Sequence, residues 1–175
     1  KDTKALLYLA RQNGYELRTV KAAIDVNKDQ KTILYKKASM RLITFNGLKV
    51  AVLGLTFKPG TDDLREAPSL DNVPLLLEQG ADIYAYDPVG MNNFKKKYPE
   101  GPHKNGRITY VNSIEEALKG ANVCFIFTEW DEIKAVKPET YKKLMRTPLV
   151  YDGRNIYNTQ DMKAAGVEYH SIGRA

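Results

Sequence analysis

The stretch that most constrains this chain runs from Leu48 to Ser69 and reads LKVAVLGLTFKPGTDDLREAPS. Lys49 to Leu55 is short, apolar and rich in β-branched residues, which predicts a buried parallel strand. A charged loop follows. Apolar residues at helical spacing resume only after Pro68, and we expect Ser69 to be the N-cap of that helix. The stretch therefore predicts a strand, a long charged loop and a helix.

The composition of this loop indicates an anionic ligand. Ligands of open α/β sheets bind beyond the carboxyl ends of the strands, where this loop would lie. Gly54 and Gly60 are too few for the three-glycine turn with which dinucleotide folds approach a pyrophosphate. Lys58 and Arg65 are the candidate anion ligands, the first as a point charge and the second as a planar fork. The alternative is that both are ordinary solvated loop charges.

From Leu48 onward strand and helix patterns alternate, which predicts an α/β fold with a doubly wound, mostly parallel, Rossmann-like sheet. The pattern also predicts that Ser113 caps a helix and that residues 99–107 form a polar loop. Because the carboxyl ends of parallel strands share one edge, three loops should meet there: 56–68, 128–131 and 152–155. Predicted strands cover 49–55, 81–86, 108–111, 122–128, 149–151 and 167–172, and predicted helices cover 69–79, 91–98, 114–119, 139–145 and 159–164.

Two further loops supply candidate ligand residues. Arg154 follows a strand and a glycine, so it is a second candidate for binding an anion or a sugar, with an ion pair to Asp152 as the alternative. The 129–131 segment offers acceptors and an indole, although we favour a packing role for Trp130. Asp87 ends a strand where a dinucleotide fold holds an acid for ribose, but without the glycine turn this signal is weak.

The segment before the sheet is predicted to be helical. One helix should begin at Asp2 or Thr3 and stop near Gly14, and a second, longer helix should run from 17 to 43. Residues 1–47 hold ten Lys/Arg and four Asp/Glu, so they carry the whole net charge of +6. A basic helix of this length indicates contact with a missing domain or a second subunit, or packing on its own domain.

Composition narrows the class of protein. A length of 175 residues suits one domain with an attached helical segment. Cys124, the single cysteine, lies in an apolar run and predicts a buried thiol in a reducing compartment. His103 and His170 are isolated, so no metal site is expected. With no apolar run of 18 residues and no RNA- or DNA-reading motif, we expect a cytoplasmic protein without membrane or nucleic-acid partners.

Five motifs together resemble the UDP-glucose/GDP-mannose dehydrogenase family. They are KDTKAL from Lys1, the stretch from Lys49 to Ser69, YDP from Tyr86, TEWDE from Thr128 and DGRNIY from Asp152. They span essentially the whole chain in the family's order. The resemblance implies a helical and dimerisation segment at 1–46 and a nucleotide-sugar (UDP) binding domain at 47–175. It also implies that the catalytic cysteine and the NAD domain lie before Lys1.

The resemblance implies roles for individual residues as well. Phe57, Lys58 and Arg154 resemble residues that bind UDP-glucose, while Arg65 and Lys1 resemble residues that contact NAD. Asp2 resembles an aspartate proposed to hold or activate the hydrolytic water. Its alternative role is a helix cap, and both roles are compatible.

The implied reaction oxidises C6 of UDP-glucose twice, with two NAD⁺, through a cysteine-bound thiohemiacetal and thioester to UDP-glucuronate. A homodimer formed through the 17–43 helix is implied, and this chain alone should be inactive. Alternatives are a relative that acts on UDP-N-acetylhexosamines or GDP-mannose, and a noncatalytic nucleotide-sugar binding or dimerisation module.

Overall fold

A computed structural model describes residues 2–174 and divides the chain into two compact units between Ile33 and Leu34. The predicted division of the chain into functional segments at residues 46 and 47 stays a prediction. Among the described residues, no helix is both long and apolar enough to span a membrane.

The described residues of the smaller unit include the helices α1 (Asp2–Gln12) and α2 (Arg18–Gln30). Gly14 adopts a φ of 71°, and the Tyr15 amide donates to the Ala10 carbonyl at 2.9 Å. This left-handed turn ends α1 as the sequence predicted, because glycine adopts positive φ without steric strain. Neither helix has a buried residue within this unit.

The prediction of a single helix from 17 to 43 was wrong. α2 ends at Gln30, and a separate helix, α3, spans Ile33–Arg41. At the break, both the backbone amide and the hydroxyl of Thr32 donate to the Asp29 carbonyl at 3.4 Å. A threonine hydroxyl that competes for a backbone carbonyl three residues back favours a tight turn over a continued helix.

The larger unit contains a seven-stranded sheet, in the order β3-β4-β2-β1-β5-β6-β7, within the described residues. All neighbouring strands are parallel except β3 and β4, which are antiparallel. The strands are β1 (Lys49–Leu53), β2 (Asp82–Tyr86), β3 (Gly101–His103), β4 (Gly106–Tyr110), β5 (Val123–Ile126), β6 (Leu149–Asp152) and β7 (Glu168–Ser171). The further helices are α4 (Ser69–Glu78), α5 (Met91–Lys97), α6 (Ile114–Leu118), α7 (Asp131–Lys134), α8 (Pro138–Leu144) and α9 (Thr159–Ala164).

The central strand β1 is buried on both faces. Val50 and Val52 belong to one apolar cluster, and Ala51 and Leu53 belong to another. Alternate residues of a strand point to opposite faces, so the two clusters are the cores on the two sides of the sheet. This arrangement confirms the doubly wound α/β fold that the continuous apolar run at 49–55 predicted.

The strand order changes direction between β1 and β5. From β1 the chain proceeds to β2 and β4 on one side, and then returns to place β5, β6 and β7 on the other side. The carboxyl ends of two strands at such a switch point diverge into separate loops, and the crevice between them is the usual ligand site of an open α/β sheet.

Local details depart from the sequence predictions at three points. The strand β3 lies where a polar loop was expected, and the short helix α7 was not predicted. Ser69 is the first residue of α4, and its hydroxyl donates to the Leu55 carbonyl at 2.5 Å, so its predicted N-cap role was wrong. The cap at Ser113 is confirmed, since its hydroxyl accepts the Glu116 amide at 3.1 Å.

Candidate functional site

The start of the loop that follows β1, residues 54–68 (the β1 loop), is held by hydrogen bonds to a buried carboxylate. Asp87 is fully buried at the end of β2. Its Oδ2 accepts the Leu55 amide at 2.7 Å, and both the amide and the hydroxyl of Thr56 at 3.2 Å. Hydrogen bonds to an ionised acceptor are among the stronger ones in proteins, so the first residues of the loop are held firmly.

The same carboxylate also holds two other segments. Its Oδ1 accepts the amides of Val89 at 3.0 Å and Gly90 at 2.6 Å, and its Oδ2 accepts the Trp130 indole N–H at 3.0 Å. The protein's own donors therefore occupy Asp87, and the weak sequence signal for a ribose-binding acid does not apply to it. Trp130 packs on the core beside it, as the sequence favoured.

A close approach joins the ends of β1 and β5. Gly54 has a φ of 83°, and a Cβ at this position would lie 2.5 Å from the Cβ of Thr128. The Thr128 hydroxyl donates to the Thr56 carbonyl at 2.5 Å. Only glycine suits this position, because a side chain would be both strained in φ and in steric conflict.

Arg154 brings the third loop to the same edge. Its Nη2 donates to the Phe57 carbonyl at 2.5 Å, and its Nε lies 2.6 Å from Glu129 Oε2 in an ion pair. The predicted alternative, an ion pair with Asp152, was wrong. That carboxylate instead accepts the Arg154 backbone amide at 2.7 Å, and thereby fixes the turn after β6.

Phe57 and Lys58 lie at this junction with exposed side chains. The Phe57 residue is 43% exposed although it is a large apolar residue. The Lys58 ammonium makes no hydrogen bond or ion pair within residues 2–174. Of the predicted ligand cations, Lys58 is thus available to an anion, whereas Arg154 is already paired.

Arg65 lies at the tip of the loop. Its side chain is 83% exposed, and its Nε and Nη2 bind both oxygens of Asp63 at 2.6–3.0 Å. Hydrogen bonds from Arg65 are the main reason that the pKa of Asp63 is lowered to about 2. The Phe57 amide donates to the Asp63 carbonyl at 2.9 Å and closes the loop.

The structure therefore brings Phe57, Lys58 and Arg154 together and keeps Arg65 at the tip of the same loop. Asp2 is the first residue of α1 in the smaller unit, and Lys1 lies outside the described residues. Thr56 and Thr128, which join the loops, were not predicted from the sequence. The signal that could have found them is Gly54, since a glycine at a strand end often marks a close backbone approach.

Two clefts accompany this edge. A cleft of about 610 Å³ lies beside the tip of the β1 loop and includes Arg65, Lys96 and Lys97 in its lining. Another, of about 410 Å³, lies beyond the end of β2 and is lined in part by Tyr86 and Glu132. The Tyr86 hydroxyl donates to Glu132 at 3.0 Å, and burial, reinforced by this carboxylate, raises the pKa of Tyr86 to about 12.

A doubly wound sheet with an exposed lysine and an exposed aromatic ring beside its switch point defines a class, the α/β domains whose ligand sites lie at the strand ends. Comparison with known families then identifies the particular one. Residues 51–159 match the UDP-binding domain of the UDP-glucose/GDP-mannose dehydrogenase family. The chain belongs to this family, and the resemblance seen in its motifs is confirmed.

Curated relatives agree with this assignment. The chain is 42% identical over 174 residues to UDP-glucose 6-dehydrogenase YwqF of Bacillus subtilis, and 38% identical over 175 residues to a UDP-glucose 6-dehydrogenase of Pseudomonas aeruginosa. Each match covers 99% of this chain and 38% of the relative. The chain thus spans well under half the length of these relatives.

Solved structures share the fold. A UDP-glucose dehydrogenase from Pyrobaculum islandicum superposes with a TM-score of 0.81 at 29% identity, over 99% of this chain and 36% of that one. An NDP-N-acetyl-D-galactosaminuronic acid dehydrogenase from Methanosarcina mazei gives a TM-score of 0.79 at 24% identity, over 99% and 37% of the two chains, and shows the fold alone.

Proposed function

We propose that this chain supplies the UDP-sugar binding part of an NAD-dependent UDP-glucose 6-dehydrogenase. The observation that carries the proposal is the meeting of three loops at the switch point, which places Phe57, Lys58 and Arg154 side by side. Family membership and the named relatives support the uridine nucleotide as the ligand.

Each of these residues has a distinct task in the proposal. Lys58 offers an unpaired positive charge to the diphosphate. Arg154 keeps its Nη1 group without a protein acceptor among the described residues, so it can donate to an uncharged oxygen of the ligand. Phe57 offers an aromatic face for contact with the nucleotide.

The proposed reaction is the two-step oxidation of UDP-glucose at C6 to UDP-glucuronate, with two NAD⁺ as hydride acceptors. Cys124 does not serve as its nucleophile, because it is fully buried and burial raises the pKa of its thiol well above the usual value. In our proposal, a cysteine outside this chain serves instead, and Asp2 holds or activates the hydrolytic water.

NAD contacts are proposed for Lys1 and Arg65. Arg65 suits such a role because it is exposed at the loop tip and carries further donors besides those that bind Asp63. We further propose a helical dimerisation segment at 1–46, a nucleotide-sugar domain at 47–175, a homodimer formed through residues 17–43 and a cytoplasmic location.

Calorimetric titration tests this function. The chain and the complete enzyme are titrated with UDP-glucose, UDP, GDP-mannose and NAD, and the titrations are repeated for Lys58→Ala and Arg154→Ala. We expect the uridine ligands to bind, both substitutions to weaken binding and GDP-mannose to fail. Tight binding of GDP-mannose would favour the alternative substrate, and a complete enzyme that binds no uridine nucleotide would contradict the proposal.

A further inference from the structure

The carboxylate of Glu129 forms an ion pair with Arg154, one of the residues of the proposed nucleotide site. Glu129 follows Thr128, and the hydrogen bond from the Thr128 hydroxyl to the Thr56 carbonyl, together with the close approach at Gly54, fixes its backbone. Its Oε2 lies 2.6 Å from Arg154 Nε. A side chain on such a rigid backbone can fix the position of the residue with which it pairs.

The other side of Arg154 is equally well defined. The Gly153 amide donates to the Ile126 carbonyl at 2.9 Å, and the Arg154 amide donates to Asp152. With both ends of its side chain held, the guanidinium reaches the Phe57 carbonyl at 2.5 Å. Glu129, Arg154 and Phe57 thus form a chain of contacts across the loops after β5, β6 and β1.

We propose that Glu129 is a positioning residue: it holds the Arg154 guanidinium against the Phe57 carbonyl and so sets the backbone of the Phe57–Lys58 pair for ligand binding. This inference rests on the proposed nucleotide site. Because Glu129 offsets the charge of Arg154, Lys58 provides the net attraction for the diphosphate, and Arg154 acts through hydrogen bonds and the loop it orders.

The negative charge of Glu129 allows a positioning role to be distinguished from a purely electrostatic one. A carboxylate beside a diphosphate site would weaken anion binding if charge alone mattered, so removal of Glu129 would then tighten binding. If positioning matters more, removal of Glu129 weakens binding although it removes a negative charge. The two accounts therefore predict opposite signs for a single substitution.

The test measures UDP affinity by calorimetry on the complete enzyme carrying Glu129→Ala, Glu129→Gln, Arg154→Ala or the Glu129→Ala/Arg154→Ala pair. Glu139→Ala removes an equal charge from an exposed site on α8 and serves as the control. We expect Glu129→Ala to weaken UDP binding about tenfold, because loss of the ion pair releases the Arg154 guanidinium from its position. Glu129→Gln, which keeps the size of the side chain but removes its charge, should also weaken UDP binding, because the observed contact is an ion pair.

Two outcomes would overturn the positioning role: unchanged or tighter UDP binding by Glu129→Ala, or a double variant whose loss is the product of the two single losses. Hydrogen exchange of the Phe57 and Lys58 amides provides a ligand-free readout. It should accelerate in Glu129→Ala and Arg154→Ala but not in Glu139→Ala, and unchanged exchange would also overturn the role. If the Phe57 and Lys58 amides of the wild-type enzyme exchange slowly and the enzyme still binds no UDP, the proposed function is overturned instead.

Discussion

Two aspartates hold the start and the tip of the β1 loop in opposite ways. Asp87 is fully buried and accepts hydrogen bonds from the loop start, from the turn after β2 and from Trp130. The Asp63 side chain is 32% exposed and pairs with Arg65, whose side chain is 83% exposed. The Asp87 carboxylate thus joins buried segments, whereas the Asp63 carboxylate orders an exposed part of the loop.

The difference shows how one loop can be both fixed and accessible. At the buried start of the loop, no water can replace a lost acceptor. Each broken hydrogen bond there therefore leaves an unsatisfied donor and lowers the unfolding free energy. At the exposed tip, water replaces whatever is lost and screens the charges. Phe57 and Lys58 lie between the start and the tip of the loop, where a fixed backbone carries exposed side chains.

The largest expected effect is that of Asp87→Ala. Removal of the carboxylate leaves the amides of Leu55, Thr56 and Gly90 without their acceptor in a buried site, which should cost about 3–5 kcal/mol of unfolding free energy. Urea unfolding followed by the fluorescence of Trp130, the single tryptophan, measures the change. Asp63→Ala is the control at the exposed tip, and an equal loss in both variants would remove the distinction.

Two glycines of the β1 loop allow the buried and the exposed parts of its backbone to be compared. Gly54 and Gly60 both have positive φ, but a Cβ at Gly54 would meet Thr128 at 2.5 Å, whereas one at Gly60 would meet nothing within 4 Å. We expect Gly60→Ala to cost about 1 kcal/mol, the strain of left-handed backbone alone, and Gly54→Ala to cost about 2 kcal/mol more. Similar unfolding midpoints for the two variants would contradict the close approach.

Lys58→Ala should separate binding from stability. Lys58 has no ion-pair partner in the described part of the chain, so its loss should leave the unfolding midpoint unchanged. Binding of UDP should weaken about tenfold, and the loss should shrink as salt rises. Lys163→Ala, an exposed lysine of α9, is the control, and the account fails here if both variants bind UDP equally well.

The smallest expected effect is the titration of Asp63. Its pKa of about 2 lies below the usual value of 3.8, chiefly because Arg65 donates to it. A lowered folded-state pKa means that the pair stabilises the fold above pH 4 and that this contribution is lost as the pH falls from about 4 to 2. Carboxyl ¹³C NMR should show Asp63 titrating near its usual pKa in Arg65→Ala, and an unchanged pKa in that variant would argue against the pairing.

Features that follow from local patterns and strand topology could be predicted from the sequence. The apolar run at Lys49–Leu55 and the alternation of strands and helices were sufficient for the doubly wound fold, because burial on both faces of a sheet has a clear pattern. Lys58 and Arg154 could be chosen as site candidates because parallel strands send their loops to one edge. These inferences needed only local patterns and topology.

The rest depended on contacts between distant residues. No local pattern tells that Arg154 pairs with Glu129 rather than with Asp152, or that Ser69 bonds the Leu55 carbonyl rather than capping α4. The break between α2 and α3 was missed because apolar residues at helical spacing resume at Leu34, although Asn27 and Lys31 interrupt the stripe, and a side-chain hydrogen bond of Thr32 favours a turn there.

The most direct test of the central claim is a map of amide chemical-shift changes as UDP is added to the ¹⁵N-labelled chain. We expect the largest changes at Phe57, Lys58, Glu129 and Arg154, with Asp87 and its neighbours little affected. Changes centred instead on the cleft beside Tyr86 and Glu132 would place the nucleotide elsewhere and contradict the assignment of the site to the meeting of the three loops.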